Sequence, residues 1–117
     1  TMHRDHNNTH LIVQEAQFRA GVVGNKNGER FYAPLYFCEN WEDSDNFIPY
    51  VYVDITEGFE LWKKAIQTHW FIMNSSDFKY FDYYTSLARC RGALMKKGYA
   101  ECFAVLDRQK KIFKDEL

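Results

Sequence analysis

The chain has 117 residues, 46% of them hydrophobic and 26% charged, with a net charge of −1. This length can bury a core without metals or disulfides, and the apolar content excludes a disordered polar tract. No run reaches the eighteen or so apolar residues of a membrane span, no charged-then-apolar leader opens the chain, and Cys38, Cys90 and Cys102 lack the two-residue spacing of a zinc knuckle or redox motif.

Aromatic residues are abundant at 18%, with ten Phe, eight Tyr and three Trp. Several of them are therefore expected at the surface, where aromatic rings favour interfaces. Charge is uneven: residues 1–58 hold four Lys/Arg against nine Asp/Glu, and residues 59–117 hold eleven against seven. Such polarity suits a partner-facing side or pairing between unlike faces.

Thr1–Thr9 is polar and without periodicity, which predicts a loose arm over residues 1–9. His3, His6 and His10 would bear the ordering cost of that arm as metal ligands, so no metal is expected there. Residues 10–113 then read as a single domain, followed by a frayed tail over 114–117.

From His10 to Val23 the apolar residues Ile12, Ala16, Phe18, Ala20 and Val22 share one alternate set, which predicts a half-buried strand. Asn27-Gly28 is a hairpin dipeptide, and Phe31, Ala33, Leu35 and Phe37 alternate beyond it as a second strand. Pro34 lacks a ladder donor and places that strand at an edge. Glu39–Asn46 is an acidic loop around Trp41 without the central glycine or closing glutamate of a calcium loop. Val51, Val53 and Ile55 continue as a third strand.

Thr56–Gly98 reads as two amphipathic helices broken at Asn74-Ser75-Ser76. Phe59, Trp62, Ile66, Trp70 and Met73 recur at spacings of three and four in the first; Phe81, Tyr84, Leu87, Ala88, Leu94 and Met95 do so in the second. Asp54 or Thr56 is the expected cap of the first helix and Ser75 or Ser76 of the second. Lys96, Lys97 and Gly98 suit the exit of the second helix. Tyr99–Leu106 alternates again as a last strand. The fold expected is α+β: a mostly antiparallel sheet of about four strands with two amphipathic helices on one face, in the order β-β-β-α-α-β.

No cofactor or metal motif is present, and an active-site constellation is missing, so the chain is read as a non-enzyme. The leading expectation is a protein-binding module, an adaptor or inhibitor, with Trp41, Tyr32, Tyr36, Tyr50 and Tyr52 as partner-binding anchors. A homodimer is expected through Trp70, Phe71, Tyr80 and Tyr83, because aromatic groups circle both helices and cannot all turn inward. The alternative is a nucleic-acid-binding surface from Arg89, Arg91, Lys96, Lys97, Arg108, Lys110 and Lys111. A cysteine-dependent enzyme would use Cys90, between Arg89 and Arg91, with His69 as a base; His69 alone on an apolar helix side reads instead as a packed residue. The compartment expected is the cytoplasm, with the endoplasmic reticulum as the alternative raised by Lys114-Asp115-Glu116-Leu117.

Overall fold

The computed structural model describes residues 3–39, 46–111 and 114–115. In chain order these form α1 (Arg4–Val22), β1 (Phe37–Cys38), β2 (Val51–Asp54), α2 (Phe59–Ile66), α3 (Trp70–Asn74), α4 (Tyr80–Leu94), β3 (Ala100–Ala104) and a 3₁₀ turn at Asp107–Gln109. Among the described residues the fold is α+β, with four α-helices and a three-stranded sheet in the order β1-β3-β2. The chain divides into two compact units, Thr1–Tyr50 with Phe103–Leu117, and Val51–Cys102.

In the first unit the expected strand over 10–23 is a helix, and residues 4–9 form its first turns in place of a loose arm. The reason is propensity. Leu11, Gln14, Glu15, Ala16, Gln17, Arg19 and Ala20 are good helix formers, and Glu15 pairs with Arg19 one turn on at 2.6 Å. The alternation of Ile12, Phe18 and Val22 matched a strand only because even spacings also recur in helices.

The Asn-Gly turn exists, but it joins a helix to an extended segment and closes no hairpin. Asn25 organises it: the Asn25 side-chain oxygen accepts from the N–H groups of Asn27 and Glu29, at 2.8 and 3.1 Å, and Gly28 N–H donates to the Asn25 carbonyl at 2.9 Å. Phe31 N–H then donates to the Ala20 carbonyl at 3.0 Å, so the chain turns back along α1. Regular strand appears only at Phe37–Cys38, which pairs antiparallel with β3 in the register Phe37 to Ala104 and Cys38 to Phe103. The second strand is thus an edge strand of two residues, three positions beyond Pro34.

Gln17 is the one buried residue of α1. Its side-chain nitrogen donates to the Ala33 carbonyl, and its oxygen accepts from Arg108 at 3.0 Å. A buried amide held at both ends fastens the helix to the extended segment and to the 3₁₀ turn.

In the second unit β2 runs beside β3, with Ile55 N–H donating to the Tyr99 carbonyl at 3.0 Å. Phe59 is only 2% exposed. Its ring stacks on Tyr99 at 3.5 Å and on Trp62 at 5.3 Å between centroids, while Arg89 lies 5.7 Å from the Tyr99 ring. This layered stack is the centre of the unit.

The expected long helix over 56–73 is divided. Thr68 N–H and its hydroxyl both reach the Ala65 carbonyl, at 3.1 and 2.7 Å, and His69 N–H reaches Ile66 at 3.2 Å, so the last turn tightens to three-residue spacing and α2 stops. Neither Asp54 nor Thr56 caps it; the Asp54 carboxylate accepts from the Thr56 N–H and hydroxyl at 3.0 and 2.6 Å, and Thr56 in turn receives the Tyr99 N–H at 3.1 Å. These bonds hold the Asp54 carboxyl below the usual range, with Lys97 at 3.3 Å adding to the effect.

α4 buries Tyr80, Ala88 and Gly92 along one side. Its N-cap is Lys79, not Ser75 or Ser76; Ser75 instead ends α3. At its other end Lys96, with φ 59°, is the left-handed residue expected of Gly98, and Lys97 N–H closes on the Gly92 carbonyl at 2.8 Å. Gly98 serves close approach: a Cβ there would lie 2.6 Å from the Thr56 methyl.

Candidate functional site

The outward side of α1 carries large apolar side chains among its polar ones. Leu11, Phe18 and Val22 follow one another at seven and four residues, which places them in one row along the helix. Ile12 and Val23 lie on the other flank, and the Glu15–Arg19 ion pair runs between the rows. Leu11 and Ile12 are 62% and 67% exposed, Phe18 54% and Val22 49%. The patch extends beyond the helix. Tyr32 lays its ring over Gly21, where a Cβ would sit 2.5 Å from the ring, and neighbouring Phe31 is exposed. Exposed apolar side chains gathered on one side of a helix are a feature that interaction sites share.

The same unit holds an open cavity of about 740 Å³. Val13, Leu35, Phe37 and Leu106 are among its apolar lining, and His6, His10 and Asn46 among its polar lining. The His10 ring lies 4.8 Å from that of Phe37, and the nitrogen of the Gln14 amide is 2.6 Å from His10 Nε2.

The second unit has its own apolar exposure, at α3. Trp70 is 74% exposed, Phe71 and Met73 about half. Behind them a cluster of rings runs from Phe71 to Tyr80 at 5.0 Å, and from Phe78 to Tyr83 at 5.2 Å. Of the four residues expected at a dimer interface, Trp70 and Phe71 are exposed, Tyr83 is half-buried and Tyr80 is buried within the chain. Tyr80 is therefore a core residue, because Phe71 and Phe78 close over it.

The expected partner-binding set is dispersed. Tyr32, Tyr36 and Tyr50 are exposed in the first unit, but Tyr32 and Tyr36 stand on the irregular segment before β1 and not on a sheet face. Tyr36 meets Phe103 edge-on at 6.2 Å, and Lys110 lies 5.6 Å from the Tyr50 ring. Tyr52 is half-buried in β2 of the second unit. Trp41 and its neighbours Glu42, Asp43 and Asp45 lie outside the described residues, as do Glu116 and Leu117.

The basic residues are also divided, with Arg89, Arg91, Lys96 and Lys97 in one unit and Arg108, Lys110 and Lys111 in the other. Many already have partners. Arg89 donates to the Gly98 carbonyl at 2.9 Å, Lys97 faces Asp54, Arg108 holds Gln17, and Lys110 pairs with Asp107 at 2.8 Å. Lys110 is what holds the Asp107 carboxyl below its ordinary range.

Cys90 is exposed on α4, and His69 is exposed at the start of α3, so the expectation that His69 packs on an apolar side is corrected: the helix break turns it outward. Among the described residues no three His, Cys, Asp or Glu side chains converge on a possible ion position, and no helix is long and apolar enough to cross a membrane.

No protein-family model, curated protein or solved structure matches the chain. Its function is therefore a question for its own geometry.

Sequence reasoning missed the α1 patch, because it placed Ile12, Phe18 and Val22 on the inner face of a strand. The spacing of Leu11, Phe18 and Val22, together with oppositely charged Glu15 and Arg19 four residues apart, is the signal that identifies it.

Proposed function

We propose that this chain is a small protein-binding module, an adaptor or inhibitor that works by surface complementarity and without chemistry of its own. The observation that supports it is the burial pattern of α1, whose outward face presents Leu11, Ile12, Phe18 and Val22 while its one buried side chain is a glutamine. Apolar side chains displayed on a regular helix, with Phe31 and Tyr32 beside them, are suited to a partner's groove or helix. Tyr36 and Tyr50 are further aromatic anchors in the same unit.

A photo-cross-linking residue at position 18 of the full chain tests this in an extract of the source cells. Discrete adducts with protein, absent when the probe replaces Lys26, are the expected result. Adducts no more frequent at 18 than at 26 would remove the support.

The competing proposal, nucleic-acid binding through the basic residues after Leu87, has less behind it, since Arg89, Lys97, Arg108 and Lys110 already engage acceptors within the chain. Retention on single- or double-stranded nucleic acid that falls steeply with salt would reverse that preference. We place the module in the cytoplasm, where thiols exposed as Cys38 and Cys90 are would stay reduced.

A further inference from the structure

Resting on that reading, we propose that the partner of the α1 face is a second copy of this chain, docked through an antiparallel α1–α1 pair about a two-fold axis that crosses the exposed face at the height of residue 17.

The charge pattern selects both the partner and the direction. Glu15 and Arg19 sit in the middle of the apolar face, joined at 2.6 Å with side chains 56% and 70% exposed. A parallel pair in register would set Glu15 on Glu15 and Arg19 on Arg19. An antiparallel pair about position 17 sets Glu15 of each copy level with Arg19 of the other, so two intrachain pairs become a closed network of alternating sign.

The apolar rows obey the same operation. A two-fold axis perpendicular to the helix pair returns each flank to itself with its order reversed. On one flank Leu11 comes within about 1.5 Å of rise of Val22 of the second copy, and Phe18 within about 3 Å of its own equivalent; on the other, Ile12 comes within about 1.5 Å of Val23. Leu11, Ile12, Phe18, Val22 and Val23 thereby each have an apolar side chain of the second copy within one or two residues' rise, and neither charge is left against carbon alone.

The area sets the expected strength. From Leu11 to Val22 the helix runs roughly 16 Å at 1.5 Å per residue. Such a patch belongs with the smaller specific interfaces, under roughly 1,200 Å² in total, where association is in the micromolar range or weaker. The dimer is therefore concentration-dependent.

The test is the solution mass of the full chain, by sedimentation equilibrium from about 1 to 500 μM, with two charge variants. Wild type should approach the dimer mass within that range. Glu15→Arg and Arg19→Glu each set like charges against one another across the axis, and each should weaken dimerisation on the order of tenfold or more. Mixed in equal amounts, the two variants restore opposite signs at every crossing and should form a heterodimer tighter than the self-dimer of either. Both positions are exposed, and a like-charge i,i+4 pair disfavours a helix only slightly, so circular dichroism should report near wild-type helix content in each.

A wild-type chain that is monomeric throughout would overturn the proposal. So would a dimer that survives both substitutions, or two variants that fail to recover on mixing. The broader reading fails separately: a monomer that still cross-links at position 18 to a different protein loses the self-pairing and keeps the binding module, whereas the absence of any adduct loses both.

Discussion

The two longest helices, α1 with 19 residues and α4 with 15, treat their apolar residues in opposite ways. α4 turns Tyr80, Ala88 and Gly92 inward and packs an aromatic cluster about its first turn. α1 is fastened by the polar Gln17 and leaves its larger apolar side chains outside. A helix anchored by its apolar side is a structural member of the core, and one anchored by a hydrogen-bonded amide is left with its apolar side available to others. Substitutions in the two helices should consequently separate stability from association.

The largest effect belongs to α4. Tyr80→Ala removes a ring that is 4% exposed, wedged between Phe71 and Phe78. It should lower unfolding free energy by about 3–5 kcal/mol, read from the urea midpoint. A loss near zero would show that the cluster is not core, and would return Tyr80 to the surface role expected from sequence.

Next comes the anchor of α1. Gln17→Leu keeps the volume but strands the Ala33 carbonyl and Arg108 beside a hydrocarbon, at a cost of about 1–3 kcal/mol. If the variant is instead more stable, the helix is held by packing and the contrast with α4 disappears.

Smaller in stability, yet decisive for the comparison, is the paired change Leu11→Ser with Phe18→Ser. Both side chains are exposed, so thermal unfolding of the monomer should cost no more than about 1 kcal/mol, chiefly through helix propensity. Association measured by sedimentation should vanish. A stability loss on the scale of Tyr80→Ala would mark these residues as core and sink the interface.

The least effect is expected from pH. Asp54 titrates below its ordinary range because Thr56, and secondarily Lys97, stabilise its charged form. With the folded value depressed, its contribution is complete above the ordinary aspartate range and is lost as pH falls through the lowered value. Asp54→Asn should therefore flatten the acid side of the stability profile and leave the neutral side nearly parallel. An unchanged acid limb would show that the Thr56 bonds do not favour the charged carboxylate.

Local signals determined much of the second unit. The recurrence of Phe59, Trp62 and Ile66 gives α2, and the alternation of residues 99–106 gives β3; both patterns were legible because the side chains that set them are also those that are covered. The break at Gln67–His69 was not legible, since it depends on the Ala65 carbonyl being taken by Thr68, a choice made only once the turn is built. Within the first unit, residues 10–23 carry an alternation and a helical spacing at once, and the sequence alone does not rank them. Sequence by itself determined the α+β class, the presence of a turn at Asn27-Gly28 though not what it joins, and an excess of aromatic groups over what a core of this size absorbs. Only the tertiary structure decided that Gln17 goes inside and Leu11, Ile12 and Phe18 stay out, because a buried amide is tolerable only where a donor and an acceptor meet it, and Arg108 and Ala33 stand 91 and 16 residues away along the chain.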